Sequence, residues 1–297
     1  MSAFTEGTPC WADVLLPDLE AGKRFYGGLF GWTFPGDRRP GTETPVEPGT
    51  GKGTGTGAGG TSGASGAKTG GAAGAAYGRY ADAYSDGRRV AALAAKRDGR
   101  MPTAWGVYFA TPDAVALTAR IKDAGGRMVT DPVAFADRGV LAVAADPGGA
   151  VFGLWQAGAL SGFEKQGVPG SFCWTEVYTR AKDAVDSFYE AVFGFQVRDL
   201  EDDPAVDFRV WSPAGTRASD ETAVGGRSVI TDAFPAEMPA HFLTYFAVED
   251  CDDTAAGAER LGGRVTEPPF DTPYGRIAVI ADDQGAVFAV LAEPHAA

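Results

Sequence analysis

The strongest constraint on the fold is an internal repeat. Blocks of the first half recur in the second half in the same order: Cys10-Trp11 as Cys173-Trp174, Phe25-Tyr26 as Phe188-Tyr189, Phe30-Gly31 as Phe193-Gly194, Tyr108-Phe109-Ala110 as Tyr245-Phe246-Ala247, and Gly125-Gly126-Arg127 as Gly262-Gly263-Arg264. Ordered repetition on this scale indicates a duplicated structural unit. We therefore predict two tandem domains, 1–160 and 168–297.

The first half contains extra residues between its blocks. Residues 49–76 consist of Gly, Thr, Ser and Ala with two lysines, which is the composition of a flexible linker. Such a segment cannot bury enough apolar surface to offset its ordering entropy, so we expect a disordered surface loop. The alternative, a lid over a site, is disfavoured because the segment lacks large apolar anchors.

Apolar periodicity predicts the order strand, helix, strands twice in each half. In the first half, Asp18 should cap a helix that ends at Gly31, and a second helix should span 112–124. Strands are expected at 10–16, 32–34, 88–95, 104–110, 128–130, 140–144 and 151–156. The second half should repeat this with helices at 182–193 and 251–261. Its strands are expected near 172–179, 195–200, 206–211, 222–230, 242–248, 264, 276–281 and 286–292. The predicted fold class is α+β, with four βαβββ modules paired into two domains with curved mixed sheets.

Composition limits the partners of the chain. Its 297 residues are 44% apolar and 22% charged, and the formal net charge is −13. Such a chain is repelled by phosphate backbones and anionic lipid, so we expect no nucleic-acid and no membrane partner. Three cysteines without a C-x-x-C pair, and an N-terminus without a signal-peptide pattern, favour a cytoplasmic protein. Both a monomer and a homodimer fit these features.

Two longer motifs occur in both halves. The first contains Phe25-Tyr26 and Phe30-Gly31-Trp32, and the second is the closing turn and strand Asp146 to Phe152, which recurs in altered form at 282–288. Over nearly the whole chain except the linker, this pattern resembles the vicinal oxygen chelate superfamily of glyoxalase, bleomycin-resistance and dioxygenase proteins. The Cys-Trp pairs and positions 150–156 are similar to its actinobacterial two-domain, glyoxalase-like branch, whose members are often labelled hydroxylases.

The resemblance implies where a metal ion would bind. Metal-using relatives place a His or Gln on the first strand of a module and a Glu near the end of the closing strand. Carried over residue by residue, these positions fall on Trp11, Gly106, Gly153, Trp174, Leu243 and Ala289. None of these side chains can coordinate a divalent cation. We therefore expect no metal and no cofactor at this site, and no ordinary glyoxalase I activity.

The same positions predict an aromatic cleft that contains carboxylates. Because strand side chains alternate, Asp13 should share a face with Trp11, and Glu176 with Trp174. We predict Asp13 and Glu176 as catalytic residues, with raised pKa values. The predicted ligand-binding residues are Trp11, Tyr108, Trp155, Trp174, Tyr178, Tyr245 and Glu293. The small residues at 153 and 289 should enlarge an apolar pocket suited to a flat ligand.

Each of these predictions has a structural alternative. The tryptophans can be plain core residues, and the two carboxylates can form ion pairs with an arginine such as Arg89, Arg180, Arg209 or Arg227. Cys10, Cys173 and Cys251 are expected to be buried structural thiols, the first two on the strand face opposite their neighbouring tryptophans.

Two functions remain after these exclusions. The first is a metal-independent protein that binds a planar, partly apolar small molecule, for sequestration or processing of an antibiotic or another natural product. The second is a metal-independent enzyme, such as an isomerase, cyclase, lyase or hydroxylase, that uses the carboxylates as acid and base on an aromatic or carbonyl intermediate. A vestigial site in a stress-related protein is a third interpretation.

Overall fold

The computed structural model describes residues 4–35, 79–200 and 207–293, so the predicted linker at 49–76 lies outside the described residues. The first half consists of β1 (Pro9–Leu16), α1 (Leu19–Phe30), β2 (Tyr80–Ser85), β3 (Arg88–Ala95), β4 (Ala104–Ala110), α2 (Ala114–Asp123), β5 (Arg127–Phe135), β6 (Gly139–Ala145) and β7 (Val151–Ala157). Among the described residues, no helix is long and apolar enough to cross a membrane.

Within the described ranges, the second half repeats this order with one more strand. It consists of β8 (Ser171–Thr179), α3 (Lys182–Phe193), β9 (Gln196–Asp199), β10 (Phe208–Ser212), β11 (Gly225–Val229), β12 (His241–Val248), α4 (Cys251–Arg260), β13 (Arg264–Thr272), β14 (Gly275–Ala281) and β15 (Val287–Ala292), with a short 3₁₀ helix at Asp220–Thr222.

Each half contains one mixed sheet, as the sequence predicts. The strand orders are β2-β3-β1-β4-β7-β6-β5 and β13-β14-β15-β12-β8-β11-β10-β9. The two modules of a half meet through their first strands, which pair antiparallel as β1 with β4 and β8 with β12. Parallel pairs flank them, such as β4 with β7 and β12 with β15. The predicted α+β fold with two tandem domains is confirmed.

The first helix begins and ends where the sequence predicts. The side chain of Asp18 accepts hydrogen bonds from the backbone N–H groups of Glu20 and Ala21, which have no partner within the helix. Gly31 ends the helix with φ of 69°, a conformation in which a side chain is strained.

The helices connect the two halves. The Tyr26 hydroxyl of α1 donates to Asp282 of the second half at 2.8 Å, and the Tyr189 hydroxyl of α3 donates to Asp146 of the first half at 3.1 Å. Each tyrosine belongs to the repeated helix motif, and each aspartate begins the repeated closing turn. The helix motif of one half therefore contacts the closing turn of the other half. The aromatic core is continuous across this contact, with Phe30 packed on Phe246 at 5.3 Å between ring centroids.

Two local predictions are wrong. The chain forms a single bridge between Thr33 and Tyr84 rather than a strand at 32–34. Pro35 follows it and has no N–H to extend a ladder. The edge strand β2, which begins at Tyr80 shortly after the low-complexity segment, has no counterpart among the predicted strands.

Candidate functional site

The candidate site lies on the sheet face opposite the helices. In β4, Trp105 and Phe109 pack against Tyr26 of α1 and Phe193 of α3, and Tyr108 therefore points to the other side of the sheet. Registers across three adjacent strands give each half the same row of positions. The row is Trp11, Tyr108 and Gly153 in the first half, and Trp174, Tyr245 and Ala289 in the second.

In the first half, the predicted site residues meet in one enclosed cluster. Trp11, Asp13, Tyr108 and Trp155 line a cavity of about 10 Å³ together with Tyr80, Phe135, Leu141 and Leu160. This volume is about that of a single water probe, so the cleft is filled by the protein's own side chains. The prediction that Gly153 enlarges a ligand pocket is wrong here. A Cβ atom added at Gly153 would lie 2.0 Å from Cδ1 of Tyr108, because the Tyr108 ring occupies that space.

Asp13 is the buried carboxylate of this cluster, with 5% of its surface exposed. The Tyr108 hydroxyl lies 3.1 and 3.0 Å from its two oxygens and donates to it. Burial raises the pKa of Asp13 from 3.8 to about 7, and the hydrogen bond from Tyr108 offsets part of that rise. Asp13 can therefore hold or release a proton near neutral pH, which is the property of a general acid or base.

Glu176 is the corresponding carboxylate of the second half and is equally buried, at 6% exposed. It accepts hydrogen bonds from the hydroxyl of Tyr178 at 2.7 Å and from the hydroxyl of Tyr245. Burial raises its pKa, while hydrogen bonds from Tyr245, Tyr178 and the indole of Trp174 lower it. Glu176 therefore accepts hydrogen bonds from more side chains than Asp13, whose donor is Tyr108.

None of the four arginines named as candidates pairs with Asp13 or Glu176, so these predicted ion pairs are wrong. Arg89 pairs with Asp82 and Glu164, and Arg180 donates to the backbone oxygens of 230 and 235. Arg209 pairs with Asp186, Glu190 and Asp199, and the fully buried Arg227 pairs with Asp186 and Asp207. Tyrosine hydroxyls take the place of the arginines: Tyr108 and Tyr245 from neighbouring strands, and Tyr178 from the same strand as Glu176.

The face of the second half is more open than that of the first. Trp174, Tyr178 and His241 are each partly exposed, and Leu291 and Val279 pack beside them. The rings of Tyr178 and His241 are stacked at 5.2 Å with an interplanar angle of 6°. Each of these two stacked rings partly covers one face of the other, and together with the partly exposed Trp174 they form a largely apolar surface next to the buried Glu176.

Two predicted features differ in detail. Glu293 is exposed beyond the end of β15 and lines a depression with Asp252, Asp271 and Arg276. Its charge adds to the effect of burial in raising the pKa of Cys173, the neighbour of Trp174. Cys173 is partly exposed and packs on the same side as Trp174. The prediction for Cys173 is wrong because the register shifts between Tyr245 and Phe246, and this irregularity breaks the alternation of β8.

The other two cysteines are buried, as predicted. The Cys10 thiol donates to the backbone oxygen of Tyr108 at 3.4 Å. Burial raises the pKa of Cys251 to about 11, which leaves its thiol protonated and unreactive near neutral pH.

The superfamily's metal does not fit the residues present. In the first half the row consists of the Trp11 indole, the Tyr108 phenol and Gly153. The Tyr108 ring fills the space that a Glu side chain at position 153 would need. In the second half the row consists of an indole, a phenol and Ala289. Among residues 4–35, 79–200 and 207–293, no three His, Cys, Asp or Glu side chains are grouped to hold a metal ion.

Several residues that complete the two clusters were not predicted from the sequence. Tyr80 accepts a hydrogen bond from the Trp11 indole at 3.0 Å, but it lies in the strand that was not predicted. Phe135 and Leu160 close the first cluster from chain segments just outside the predicted strands. His241 could have been identified as a candidate site residue from the sequence, because it directly precedes a predicted strand and is one of two histidines in the chain.

Comparison with known proteins supports the fold and the duplication. The sequence matches the Glyoxalase/Bleomycin resistance protein/Dioxygenase superfamily over residues 11–154 and 174–290. It is 35% identical to the anthracycline biosynthesis protein DnrV of Streptomyces peucetius, over 98% of this chain and 95% of that protein. It is 33% identical to the putative glyoxylase CFP32 of Mycobacterium tuberculosis, over 98% of this chain and 96% of that protein.

Solved structures add evidence on the fold alone. The Mn(II)-bound glyoxalase from Novosphingobium aromaticivorans has a TM-score of 0.58 and 16% identity, over 99% of this chain and 83% of that one. The 2,3-dioxygenase LapB from Pseudomonas sp. KL28 has the same TM-score and identity, over 99% of this chain and 96% of that one. With both halves matched and relatives similar over their full length, the chain belongs to the glyoxalase/bleomycin resistance protein/dioxygenase superfamily and is similar to its actinobacterial two-domain members.

Proposed function

We propose that this protein binds a planar, partly apolar small molecule without a metal ion, and that it serves to sequester or process a natural product. The observation that carries the proposal is the aromatic surface of Trp174, Tyr178 and His241 beside the buried Glu176. Aromatic faces of this kind stack on flat ligands, and a buried acceptor orients the hydroxyl or cationic groups of a ligand.

The full-length relatives indicate the class of compound. DnrV and DauV are named as anthracycline biosynthesis proteins, and each is 35% identical to this chain. Anthracyclines contain fused planar rings with hydroxyl and quinone oxygens, so a compound of this class would match both the aromatic surface and the acceptor. The chain's net charge of −13 disfavours strongly anionic ligands.

A titration with emodin, a planar hydroxylated anthraquinone, tests the proposal. Tryptophan fluorescence should be quenched on binding, and Trp174→Leu should weaken the affinity by about tenfold or more because stacking is lost. Leu261→Ala is the control, since Leu261 is an exposed apolar residue of the same half that follows α4 and lies near Gly28 of α1, on the side of the helices. Absence of saturable quenching by emodin and by a panel of other planar aromatic compounds would contradict the proposal.

A second candidate is a metal-independent acid–base enzyme, and one observation favours it. Asp13 has a pKa of about 7 and a tyrosine hydroxyl as hydrogen-bond donor, which suits proton transfer near neutral pH. This candidate requires the first cleft to open, because its cavity is about 10 Å³. If it is correct, Asp13→Asn and Glu176→Gln will abolish turnover of an anthraquinone-type intermediate while the fold is kept. Unchanged turnover in both variants would exclude it.

A further inference from the structure

We propose that the two clefts are not equivalent: the second half takes the ligand, and the first half is plugged by side chains of the chain itself. This inference rests on the proposed function and assigns its site. The ligand class it implies is a planar aromatic compound with phenolic hydroxyl groups, one molecule per chain.

The strand registers establish which positions of the two halves correspond. Trp155 lies opposite Leu141 in the first sheet, and Leu291 lies opposite Ile277 at the same place in the second. At the hairpins that face the clefts, Phe135 pairs with Gly139, and Thr272 pairs with Gly275. The large residues Trp155 and Phe135 of the first half thus correspond to the smaller Leu291 and Thr272 of the second.

The first cleft is closed by contacts that the second lacks at these positions. The Trp155 indole donates to the backbone oxygen of Leu160 at 2.9 Å, which fixes the ring inside the cleft. Phe135 packs edge-on against Tyr80 at 5.6 Å between ring centroids. Because Tyr80 lies on edge strand β2 and Phe135 on edge strand β5, this contact joins the two edges of the curved sheet.

A charged group covers this contact from outside. The Arg138 guanidinium lies 5.4 Å from the Tyr80 ring centroid and 5.7 Å from that of Phe135. It also donates to Asp82 of β2 at 2.8 Å, and both side chains of this ion pair are largely buried. Cation–π contacts and a shielded ion pair hold the edges together more firmly than an exposed pair would.

The second cleft keeps its surface available. Leu291 leaves the area in front of Trp174 without the indole that Trp155 supplies in the first half. His241 adds an acceptor at the border. Its Nδ1 lies 2.9 Å from the backbone oxygen of Pro239, and since a carbonyl can only accept, Nδ1 carries the proton and Nε2 of the neutral ring is the acceptor.

These acceptors define the ligand. The carboxylate of Glu176 and Nε2 of His241 both favour groups that donate hydrogen bonds, and the stacked Tyr178 between them favours a flat ring. Phenolic hydroxyl groups on a fused aromatic system satisfy both requirements. A carboxylate or sulfate substituent would lie next to the buried Glu176 carboxyl group and would be disfavoured.

Reciprocal substitutions at the corresponding positions test the inference with emodin as the probe. The wild-type protein should bind one emodin per chain. Leu291→Trp should plug the second cleft and reduce affinity by about tenfold or more, whereas Trp155→Leu should leave affinity within about twofold. The conservative pair Trp174→Phe and Trp11→Phe locates the bound ring, and circular dichroism of both variants checks that the fold is kept. The quenching should disappear in Trp174→Phe and persist in Trp11→Phe.

Two ligands per chain, or quenching that depends on Trp11 and not on Trp174, would overturn the assignment while leaving the proposed function in place. Loss of binding in Trp155→Leu together with unchanged binding in Leu291→Trp would also overturn it. No binding of emodin or of other hydroxylated anthraquinones to the wild-type protein would overturn both the assignment and the proposed function.

Discussion

Above neutral pH, the folded protein bears the free-energy cost of a charged, buried carboxylate at Asp13. Replacing Asp13 with asparagine should remove this cost. Burial raises the pKa of Asp13 from 3.8 to about 7, so the folded protein holds a proton that the unfolded chain releases between these values. A shift of about three units corresponds to about 4 kcal/mol. The native state therefore loses up to about 4 kcal/mol of stability as the pH rises from about 4 to above 7, and the Asp13→Asn variant has no such dependence at this position.

The sign follows from proton binding. In this range the native state binds more protons at Asp13 than the unfolded state does, and stability falls with rising pH. An amide at this position also places an N–H donor group among apolar walls, which costs about 1–3 kcal/mol at every pH. The free-energy difference between Asp13→Asn and wild type should therefore change by about 4 kcal/mol, in favour of the variant, from acidic to alkaline pH.

Urea unfolding of both proteins at several pH values measures this difference. Asp232→Asn serves as the control, because Asp232 is exposed and its replacement should give a nearly constant difference. A pH-independent difference for Asp13→Asn, or one that increasingly favours wild type as the pH rises, would refute the view that Asp13 is a destabilised buried carboxylate.

Three further predictions concern stability and use urea unfolding as the readout. Tyr26→Phe removes the hydroxyl bound to Asp282 across the halves and should cost about 1–3 kcal/mol; an unchanged midpoint would show that this contact does not couple the halves. Gly153→Ala should cost about 1–3 kcal/mol because Tyr108 occupies the place of the new methyl group, and a neutral effect would mean that the ring moves freely. Arg227→Met should cost about 1.5–3 kcal/mol, since the buried Asp186 loses the two hydrogen bonds from Arg227 and keeps only Arg209 as its cation, and a stabilised variant would contradict this.

Local sequence signals predicted much of the fold. The helix cap at Asp18 and the turn at Gly31 are formed by interactions within a few residues of the chain, and both were predicted correctly. The strand Arg88–Ala95 and the helix Lys182–Phe193 also have the predicted bounds, because the strand is a short continuous apolar run after two arginines and the helix has regular apolar periodicity. The repeat then extended the correct order of elements to the second half.

The partners of the site residues could not be predicted in the same way. Asp13 and Tyr108 are 95 positions apart in the chain, and Glu176 and Tyr245 are 69 apart, so only the strand register brings each pair together. The closure of the first cleft depends on the curvature of the sheet, which brings Tyr80 and Phe135 of opposite edges into contact. Neither register nor curvature has a local signature that a single sequence displays.

Ligand binding by chelator-treated protein tests the central claim most directly. The protein is stripped with EDTA, its metal content is measured, and emodin is then titrated with and without added Mn²⁺. We expect the same affinity and one emodin per chain in both conditions, since Trp174, Tyr178 and Glu176 need no cation to hold the ligand. Binding that disappears with the chelator and returns with Mn²⁺ would contradict the account.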